Sequence, residues 1–412
     1  LELGRAATAR SQAARPQVLI IRDTRESGPM LESALAAGIT DAGGDAFLGG
    51  VLPTPAASVL VRRLGLDLGV VVSASHNSWA DNGIKFFGAD GSKLPDDEEE
   101  AIEAWVADPP ETAEEIGRVR ELSGSLEDYL RELSGAFELD LSGRRVLLDC
   151  ANGATHRAGP AAFERLGASV EVIAAEPDGR NINEGCGSTH IQFLAERMSE
   201  SDAEIGFAFD GDGDRVLAVD STGAVRDGDD LVAVSALSLR DAGTLEGGVA
   251  VTVMTNYGFH TAMSAAGIEV ATTQVGDRHV IEELVRRGWT LGGEQSGHVI
   301  WSDFAPSGDG IAAALLTMKA LGTRDLADVR PFEKLPQALE SVTVADREAV
   351  EDADELWRRV DAEQDSLEGR GRVLVRPSGT EPVVRVMVEA PTQEECRAVL
   401  DRLVDVVSRE LA

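Results

Sequence analysis

Cysteine is scarce in this sequence of 412 residues, and long apolar runs are lacking. The three cysteines, Cys150, Cys186 and Cys396, are far apart and have no paired spacing, which argues against a disulfide framework and against a cysteine zinc site. No apolar run has the length needed to cross a bilayer, and the opening LELGRAATARSQAARP has no signal-peptide pattern. We therefore expect a cytoplasmic protein whose thiols are reduced and buried.

Basic residues are also few. The chain has 38 Lys and Arg against 72 Asp and Glu, a net charge of −34, and lysine occurs only as Lys85, Lys93, Lys319 and Lys334. Nucleic acids and anionic membranes bind through basic surfaces, so neither is expected as a partner. The hydrophobic fraction of 43% is enough for ordinary cores, and the length leaves room for about two to four domains.

The most specific stretch is EIGFAFDGDGDRVLAVD, in which Asp210, Asp212 and Asp214 alternate with glycines between two apolar runs. If the chain stays extended there, the three carboxylates point the same way. Such carboxylates repel one another unless a cation joins them, and hard oxygen ligands suit Mg²⁺ or Ca²⁺. The glycine and glutamate positions of a calcium EF-hand are filled by Arg215 and Ser221, so that pattern is not met. The alternative is an acidic turn between two strands; we favour the metal site.

A second polar loop, SASHNSWADNGIKFFGADGSKL, follows an apolar run and contains Ser75, His76 and Lys85. The G-x-S-x-G pattern of acyl-transfer serines is absent around Ser75. This leaves a serine that carries phosphate, with a metal ion neutralising that phosphate and Lys85 stabilising transferred charge. A capped polar loop without a catalytic role is the alternative.

Three further loops carry residue types that bind anions or sugars. Arg22 and Arg25 follow the first apolar run and are candidate anion ligands or, equally, surface arginines. GGEQSGH presents Glu294 and Ser296, which can hold neighbouring sugar hydroxyls, although a plain turn explains the motif as well. RPSGTEP, Arg376–Pro382, combines an arginine, two hydroxyls and a glycine, the composition of a phosphate cradle, with a simple strand connection as the alternative.

Strand, loop and helix patterns recur along the chain and predict an α/β protein. Strands are predicted at Gln17–Ile21, Leu68–Ser73, Arg145–Asp149, Val170–Ile173, Gly248–Met254, Glu269–Gln274, Glu340–Val344, Val373–Val375 and Val383–Glu389. Helices are predicted at 31–42, at Asp96–Val106, from Arg157, at Val280–Arg287, from Asp352 and from Glu394, with connections at Ala107–Ser125, Thr255–Phe259 and Val275–His279.

The loops SASHN, DGDGDR, GEQSGH and RPSGTEP, in this order, are very similar to those of the α-D-phosphohexomutase family, and the resemblance covers almost the entire chain. It implies three related α/β mixed-sheet domains plus a smaller C-terminal α+β domain around a central cleft. The boundaries that we expect are 1–138, with the serine loop and an apparently truncated N-terminus, 139–243 with the metal loop, 244–338 with the sugar-binding loop, and 339–412 with the phosphate-binding loop.

The resemblance also implies the roles of individual residues. Ser75 is then a phosphoserine that, with Asp210, Asp212 and Asp214, binds one Mg²⁺ per chain. His76 and Lys85 are the candidates for the general base, and Arg22 is placed with them in the catalytic site. The substrate-binding residues are Gly276, Asp277, Arg278, Glu294 and Ser296 for the sugar, and Arg376, Ser378, Gly379 and Thr380 for its non-reacting phosphate.

GEQSGH, together with VGDR and CGSTH, is most similar to the bacterial members that interconvert glucosamine 6-phosphate and glucosamine 1-phosphate. Phosphoserine would donate to the sugar O1, and the glucosamine 1,6-bisphosphate would turn round before Ser75 recovers a phosphoryl group from O6. The alternatives are a phosphomannomutase or phosphoglucomutase, a phosphosugar-binding homologue without catalysis, and a phosphoserine hydrolase. The resemblance further suggests a homodimer.

Some positions depart from the family pattern. The usual opening loop G-T-x-G-x-R-G is missing, Ser78 stands where proline usually follows SASHN, and Ile21 stands where glycine usually precedes RDTR. An incomplete first domain would reduce activity. Because an acidic chain must still bind an anionic sugar, we expect a positive basin in the cleft, formed by Arg22, Arg25, Lys85, Arg215, Arg278, Arg376 and Arg385.

Overall fold

Four β-sheets follow one another along the chain in this computed structural model, which describes residues 1–11, 13–107, 113–378 and 381–411. Packing divides the described chain into two units. The first unit comprises Leu1–Met254 with Ile268–Arg330, and the second comprises Thr255–Gly267 with the chain from Pro331 onward. Among the described residues, no helix has both the length and the apolar character needed to cross a membrane.

The first sheet has the strand order β4-β3-β1-β2-β5, and β4 is its antiparallel strand. The sequence dictates its centre: Val18–Ile21 and Leu68–Val72 are fully buried apolar runs, as expected for parallel strands covered on both faces. Its strands are β1 (Gln17–Arg22), β2 (Asp45–Val51), β3 (Leu68–Val72), β4 (Ile84–Gly88) and β5 (Val119–Glu121), and its helices are α1 (Glu2–Ala9), α2 (Gly28–Asp41), α3 (Thr54–Leu64), α4 (Asp96–Ala107) and α5 (Ser125–Ala136).

The second sheet repeats this plan with the order β10-β9-β8-β6-β7, in which β8 is buried along its whole length. The strands are β6 (Arg145–Asp149), β7 (Ser169–Ile173), β8 (Ile205–Phe209), β9 (Val216–Asp220) and β10 (Val225–Arg226), and the helices are α6 (Thr155–Arg165), α7 (Ile191–Met198) and α8 (Gly228–Asp241).

The third sheet has the order β12-β11-β13-β14 and completes the first unit. It contains β11 (Val249–Thr252), β12 (Val270–Thr273), β13 (Leu291–Gly293) and β14 (Val299–Trp301), with α10 (Asp277–Arg287) and α11 (Gly310–Leu321); α9 (Tyr257–Ala265) belongs to the second unit.

The second unit is built on a three-stranded antiparallel sheet of order β15-β17-β16. Its elements are β15 (Gln337–Thr343), α12 (Asp354–Ser366), β16 (Arg372–Pro377), β17 (Val383–Glu389) and α13 (Gln393–Leu411). The apolar face of α13 packs into its core through Val399, Leu400, Leu403, Val406 and Val407.

The predicted α/β class and the mixed sheets are confirmed, and most predicted elements are present within a few residues of their expected bounds. Three connections were predicted too long. Helix α9 begins at Tyr257, because the Asn256 side chain accepts from the backbone N–H of Gly258; α10 begins at Asp277; and α6 begins at Thr155 rather than Arg157. The predicted connection 107–125 contains strand β5.

Candidate active site

Ser75 lies in the connection between β3 and β4 and has a φ of 50°, in the left-handed region that a non-glycine residue rarely adopts. Local contacts hold it there. The backbone N–H of Ser75 donates to Oγ of Ser73 (3.0 Å), and the Ser73 hydroxyl donates to Oδ2 of Asp23 (2.6 Å). The end of β1 therefore fixes the start of the serine loop.

Arg25 holds the rest of the serine loop in place through hydrogen bonds to its backbone carbonyls. Its side chain is fully buried, and its Nε donates to Oδ2 of Asp23 (2.8 Å). The two terminal nitrogens of its guanidinium donate to the backbone carbonyls of Ser75 (2.9 Å), Asn77 (2.9 Å), Asp81 (2.9 Å) and Ser78. The prediction of Arg25 as an anion ligand in the cleft is therefore wrong, because backbone carbonyls and Asp23 occupy its donors.

The aspartate loop is a turn between β8 and β9, not the extended segment that the alternating pattern predicted. Gly213 has a φ of +73°, and a Cβ on Gly211 would lie 2.7 Å from the carbonyl oxygen of Ser75 and 2.6 Å from Nδ2 of Asn183. Glycine is needed at Gly213 because of its positive φ, and at Gly211 because the serine loop occupies the place where a side chain would lie. The turn still brings the three carboxylates together, by curvature instead of alternation.

The three aspartates are buried, and one oxygen from each lies within 4.8 Å of the others. The Ser75 hydroxyl donates to Oδ2 of Asp210 at 2.6 Å. Oδ1 of Asp212 and Oδ1 of Asp214 are buried and have no hydrogen-bond partner among the described residues. A hard divalent cation satisfies buried carboxylate oxygens that lack partners, and the three side chains are close enough to share one, so the donor set fits such an ion.

Lys85, on β4, is the side-chain cation nearest to the triad among the described residues. Its Nζ lies 2.7 Å from Oδ2 of Asp212 and 3.5 Å from Oδ2 of Asp214. Burial alone would lower the pKa of Lys85, but Asp212 and Asp214 raise it above its ordinary value, so the amine stays charged. This position beside the metal triad agrees with a role in stabilising transferred charge.

The aspartates differ in proton affinity. Burial, with Asp214 and Asp212 nearby, raises the pKa of Asp210 well above its ordinary value. Burial would also raise the pKa of Asp214, but Lys85, His298 and Arg215 hold it below its ordinary value. The triad is therefore electrostatically strained when only side chains balance it, as expected for a site built around a cation.

A cavity of about 600 Å³ in the first unit opens onto Ser75 and the triad. Of the predicted residues, His76, Lys85, Asp214, Gly276, Asp277, Glu294 and Ser296 line it. Oε1 of Glu294 accepts a hydrogen bond from the backbone N–H of Gly276 (3.0 Å), which joins the GEQSGH and VGDR loops. Both loops thus reach the cavity that Ser75 lines.

Other predicted residues do not line that cavity wall. Nε of Arg22 pairs with Oε2 of Glu32 (3.1 Å), and Arg278 contacts Asp96 and Glu99 near the start of α4. The cations on the described wall are Lys85, Lys93 and Arg215, and three acids, Asp214, Asp277 and Glu294, balance them. The expected positive basin is therefore not formed by this wall, because Arg22, Arg25 and Arg278 have local partners.

Several lining or supporting residues were not predicted. Asn183, from the loop after β7, donates its Nδ2 to the carbonyls of Ser75 (2.9 Å) and Asn77 (3.1 Å). Lys93, Gln295 and His298 line the cavity. GEQSGH contains both Gln295 and His298, so attention to the whole motif would have found them, whereas nothing local marks Asn183.

The predicted phosphate cradle lies in the second unit. Arg376 is half-buried on β16 and pairs in register with Arg385 of β17; burial, and then Arg385, lowers the pKa of Arg376. Ser378 is buried, and its hydroxyl accepts from the backbone N–H of Glu381 (3.3 Å). Gly379 and Thr380 lie outside the described residues. Two neighbouring arginines repel each other and so favour an anion between them.

Comparisons with known proteins cover the whole chain. Models of the phosphoglucomutase/phosphomannomutase family match residues 1–112 (alpha/beta/alpha domain I), 127–223 (domain II), 227–337 (domain III) and 339–406 (C-terminal domain). A phosphoglucosamine mutase of Moorella thermoacetica is 48% identical over 98% of this chain and 94% of its own length.

Solved structures agree in fold. A phosphoglucomutase/phosphomannomutase family protein of Burkholderia thailandensis superposes with a TM-score of 0.83 at 24% identity, over 99% of this chain and 92% of that one. An N-acetylphosphoglucosamine mutase of Aspergillus fumigatus, solved in complex with GlcNAc-6P and magnesium, has a TM-score of 0.67 at 20% identity, over 86% and 92% of the two chains. From the family models and the full-length relative, this chain belongs to the phosphoglucomutase/phosphomannomutase family.

Proposed function

We propose that this chain is a phosphoglucosamine mutase, an isomerase that interconverts glucosamine 6-phosphate and glucosamine 1-phosphate. The observation that carries the proposal is the 2.6 Å contact between the Ser75 hydroxyl and Asp210 of a buried aspartate triad, next to a sugar-sized cavity that Ser75 and Asp214 line. The 48% identical relative from Moorella thermoacetica bears this name and supports the choice of sugar. The role would be in the synthesis of amino-sugar precursors.

Two phosphoryl transfers make up the reaction. In the first, the phosphoryl group of phosphorylated Ser75 passes to one hydroxyl of the sugar phosphate; that hydroxyl loses its proton to a base, and Oγ of Ser75 becomes the leaving oxygen. In the second, the other phosphoryl group of the bisphosphate passes to Oγ of Ser75, and the freed sugar oxygen takes a proton. The bisphosphate turns round between the steps, so a 1,6-bisphosphate also primes unphosphorylated enzyme.

A divalent cation, Mg²⁺ in our proposal, would be held by Asp210, Asp212, Asp214 and the Ser75 phosphate, and would supply Lewis-acid neutralisation of the transferred charge. The Aspergillus fumigatus structure was solved with magnesium, which supports this choice of ion. Lys85 remains charged and adds a second positive group next to the triad. Its charge makes Lys85 a poor proton acceptor while both aspartates face it.

His76 and His298 are the imidazoles on the cavity wall. Burial lowers the pKa of His76, so its ring is neutral and able to accept a proton near pH 7. We therefore favour His76 over Lys85 as the base among the two residues first considered. Arg22 keeps its proposed place only as a supporting residue, because Glu32 occupies its Nε.

Substrate binding is proposed for both units. Glu294 and Ser296, with Gly276 and Asp277, would hold the sugar, and Arg376 and Ser378, with Gly379 and Thr380, would hold the phosphate that does not react. Arg278, with its contacts to Asp96 and Glu99, would support the sugar loop. The domain boundaries 138, 243 and 338, a cytoplasmic location and a homodimer stay predictions.

The test is steady-state conversion of glucosamine 6-phosphate with and without Mg²⁺ and a hexose 1,6-bisphosphate primer, alongside glucose and mannose 6-phosphates. Mass spectrometry should find phosphate on Ser75, and Ser75→Ala should abolish turnover. Faster turnover of glucose or mannose phosphate would select the other family activities. Release of inorganic phosphate in step with substrate loss would identify a hydrolase, and an unmodified Ser75 that no bisphosphate can phosphorylate would leave a binding protein.

A further inference from the structure

Asp277 has a carboxylate oxygen that faces the cavity without a hydrogen bond. It is the first residue of α10, and its Oδ1 accepts from the backbone N–H of Arg278 (2.9 Å). Its Oδ2 lies 3.9 Å from Nζ of Lys93 and 3.9 Å from Nε2 of His298, and both distances exceed a hydrogen bond. The side chain is 34% exposed, on the wall of the same cavity as Ser75.

A second polar atom without a hydrogen bond lies close to Asp277 on the cavity wall. His298 is only 3% exposed, and its Nε2 is a buried nitrogen without a partner among the described residues. Its other ring nitrogen, Nδ1, faces Oδ1 of Asp214 at 3.7 Å. Buried polar atoms in native proteins are nearly always satisfied by protein, water or ligand. Because Asp277 and His298 both line the cavity, Oδ2 of Asp277 with the imidazole beside it marks a place where a polar group of a ligand can bind.

The other acids of the cavity already have partners. Asp214 belongs to the metal triad and faces Lys85, and one oxygen of Glu294 accepts the backbone N–H of Gly276. Glu294 also keeps one oxygen without a hydrogen bond, but its proposed role is to hold sugar hydroxyls, so Asp277 is left for a cationic ligand group. A sugar phosphate has anionic groups for Lys85, Lys93 and Arg215, but only an amino sugar also brings a cation.

We propose that Oδ2 of Asp277 binds the 2-ammonium group of the amino sugar, on the part of the cavity wall that also contains His298, and that Asp277 selects glucosamine phosphates over glucose phosphates. This inference rests on the proposed mutase function and assigns to one residue its choice of sugar. A sugar with a neutral hydroxyl at C2 can still donate a hydrogen bond to the carboxylate, but the ion pair between ammonium and carboxylate is lost.

The test is Asp277→Asn, which keeps an acceptor for the Arg278 N–H and removes only the charge. We expect kcat/KM for glucosamine 6-phosphate to fall by about 10- to 100-fold, the size of a lost charged hydrogen bond. The value for glucose 6-phosphate should change by less than about 3-fold, because a neutral C2 hydroxyl forms no ion pair with Asp277 and can donate to the amide oxygen of the variant instead. Glu282→Gln, which removes an exposed carboxylate on the same helix, should leave both values unchanged.

Binding gives a readout that does not depend on turnover. In the Ser75→Ala background, titration calorimetry should show weaker binding of glucosamine 6-phosphate to the Asp277→Asn form, with unchanged binding of glucose 6-phosphate. Equal losses for the two sugars, or no loss for the amino sugar, would overturn the ammonium subsite while leaving the mutase intact. Selective loss of amino-sugar binding in a protein that turns over none of the hexose phosphates would support the subsite and overturn the mutase.

Discussion

Arg25→Lys should uncouple the serine loop from the first sheet without removing any positive charge. The arginine side chain makes one ion pair, to Asp23, and donates to four backbone carbonyls of residues 75–81. A lysine ammonium has three donors, so at least two of these five acceptors lose their partner. Hydrogen bonds with a charged donor contribute about 1.5–3 kcal/mol each, so the free energy of unfolding should fall by about 3–6 kcal/mol.

The functional loss has a separate origin. Ser75 is held at a φ of 50°, a conformation that costs a non-glycine residue about 1–2 kcal/mol, and the contacts of Arg25 and Asn183 to its carbonyl offset that cost. When the arginine contacts are lost, Ser75 should relax to the right-handed or extended region and move its hydroxyl away from Asp210. A displacement of about 1 Å at the reacting atom lowers kcat about 100-fold.

Urea unfolding, the extent of Ser75 phosphorylation by mass spectrometry, and kcat with saturating bisphosphate measure these effects. Arg15→Lys is the matched control, because Arg15 is 41% exposed and, among the described residues, pairs only with Asp45; it should change stability by less than about 1 kcal/mol. An Arg25→Lys protein with the urea midpoint and kcat of that control would refute the reasoning. A destabilised protein whose folded fraction keeps full kcat would show that Arg25 stabilises the fold without orienting Ser75.

The remaining predictions concern the triad, its glycine and a buried acid. In chelator, Asp210→Asn should be at least as stable as the parent protein, because burial and its neighbours raise the pKa of Asp210. Adding Mg²⁺ should raise the melting temperature of the parent protein but not that of Asp210→Asn. Gly211→Ala should lower kcat at least about 10-fold, since its Cβ would lie 2.7 Å from the Ser75 carbonyl oxygen. Gly135→Ala, with open space around it in α5, should instead add about 0.5–1 kcal/mol of stability. The same kcat and the same stability in the two variants would contradict this packing. Burial raises the pKa of Asp309 to about 6, so the folded protein binds a proton more tightly than the unfolded chain, and stability should fall by about 2 kcal/mol relative to Asp309→Asn as pH rises from about 4 to about 6; parallel urea curves at those pH values would contradict it.

The sequence signals that succeeded are those in which local chemistry is sufficient. Continuous β-branched runs such as Leu68–Val72 predicted buried strands, and the apolar stripe of α13 predicted its buried face. Strand β2, DAFLGGV, was missed because Gly49 and Gly50 interrupt its pattern near a register shift opposite Ile20 and Ile21. Strand β4 was missed because its IKFFG lies inside a stretch dominated by turn residues.

The candidate site shows the same division. Motif composition predicted the serine, the aspartates and the GEQSGH and VGDR loops, which lie at or beside one cavity, since the chemistry proposed for them depends on residue type. The partners of Arg22, Arg25 and Arg278 could not be predicted, because the folded chain brings them to each guanidinium. Those of Arg25 are carbonyls some 50 to 56 residues away, in a loop whose backbone conformation is itself set by the contact. Every residue type has a backbone carbonyl, so the sequence of side chains does not show which carbonyls will accept from a distant arginine.

Charge balance links these observations. The chain carries a net charge of −34, and the cavity wall of the first unit has as many acids as cations, with two further triad carboxylates buried behind it. Such a wall does not attract a phosphate by side-chain charge alone. A divalent cation in the triad would reverse the balance at Ser75, where the phosphoryl group must lie, while Asp277 keeps a negative site for the sugar. An acidic protein can therefore bind a zwitterionic amino-sugar phosphate when positive charge is concentrated at the metal and is not spread over the surface.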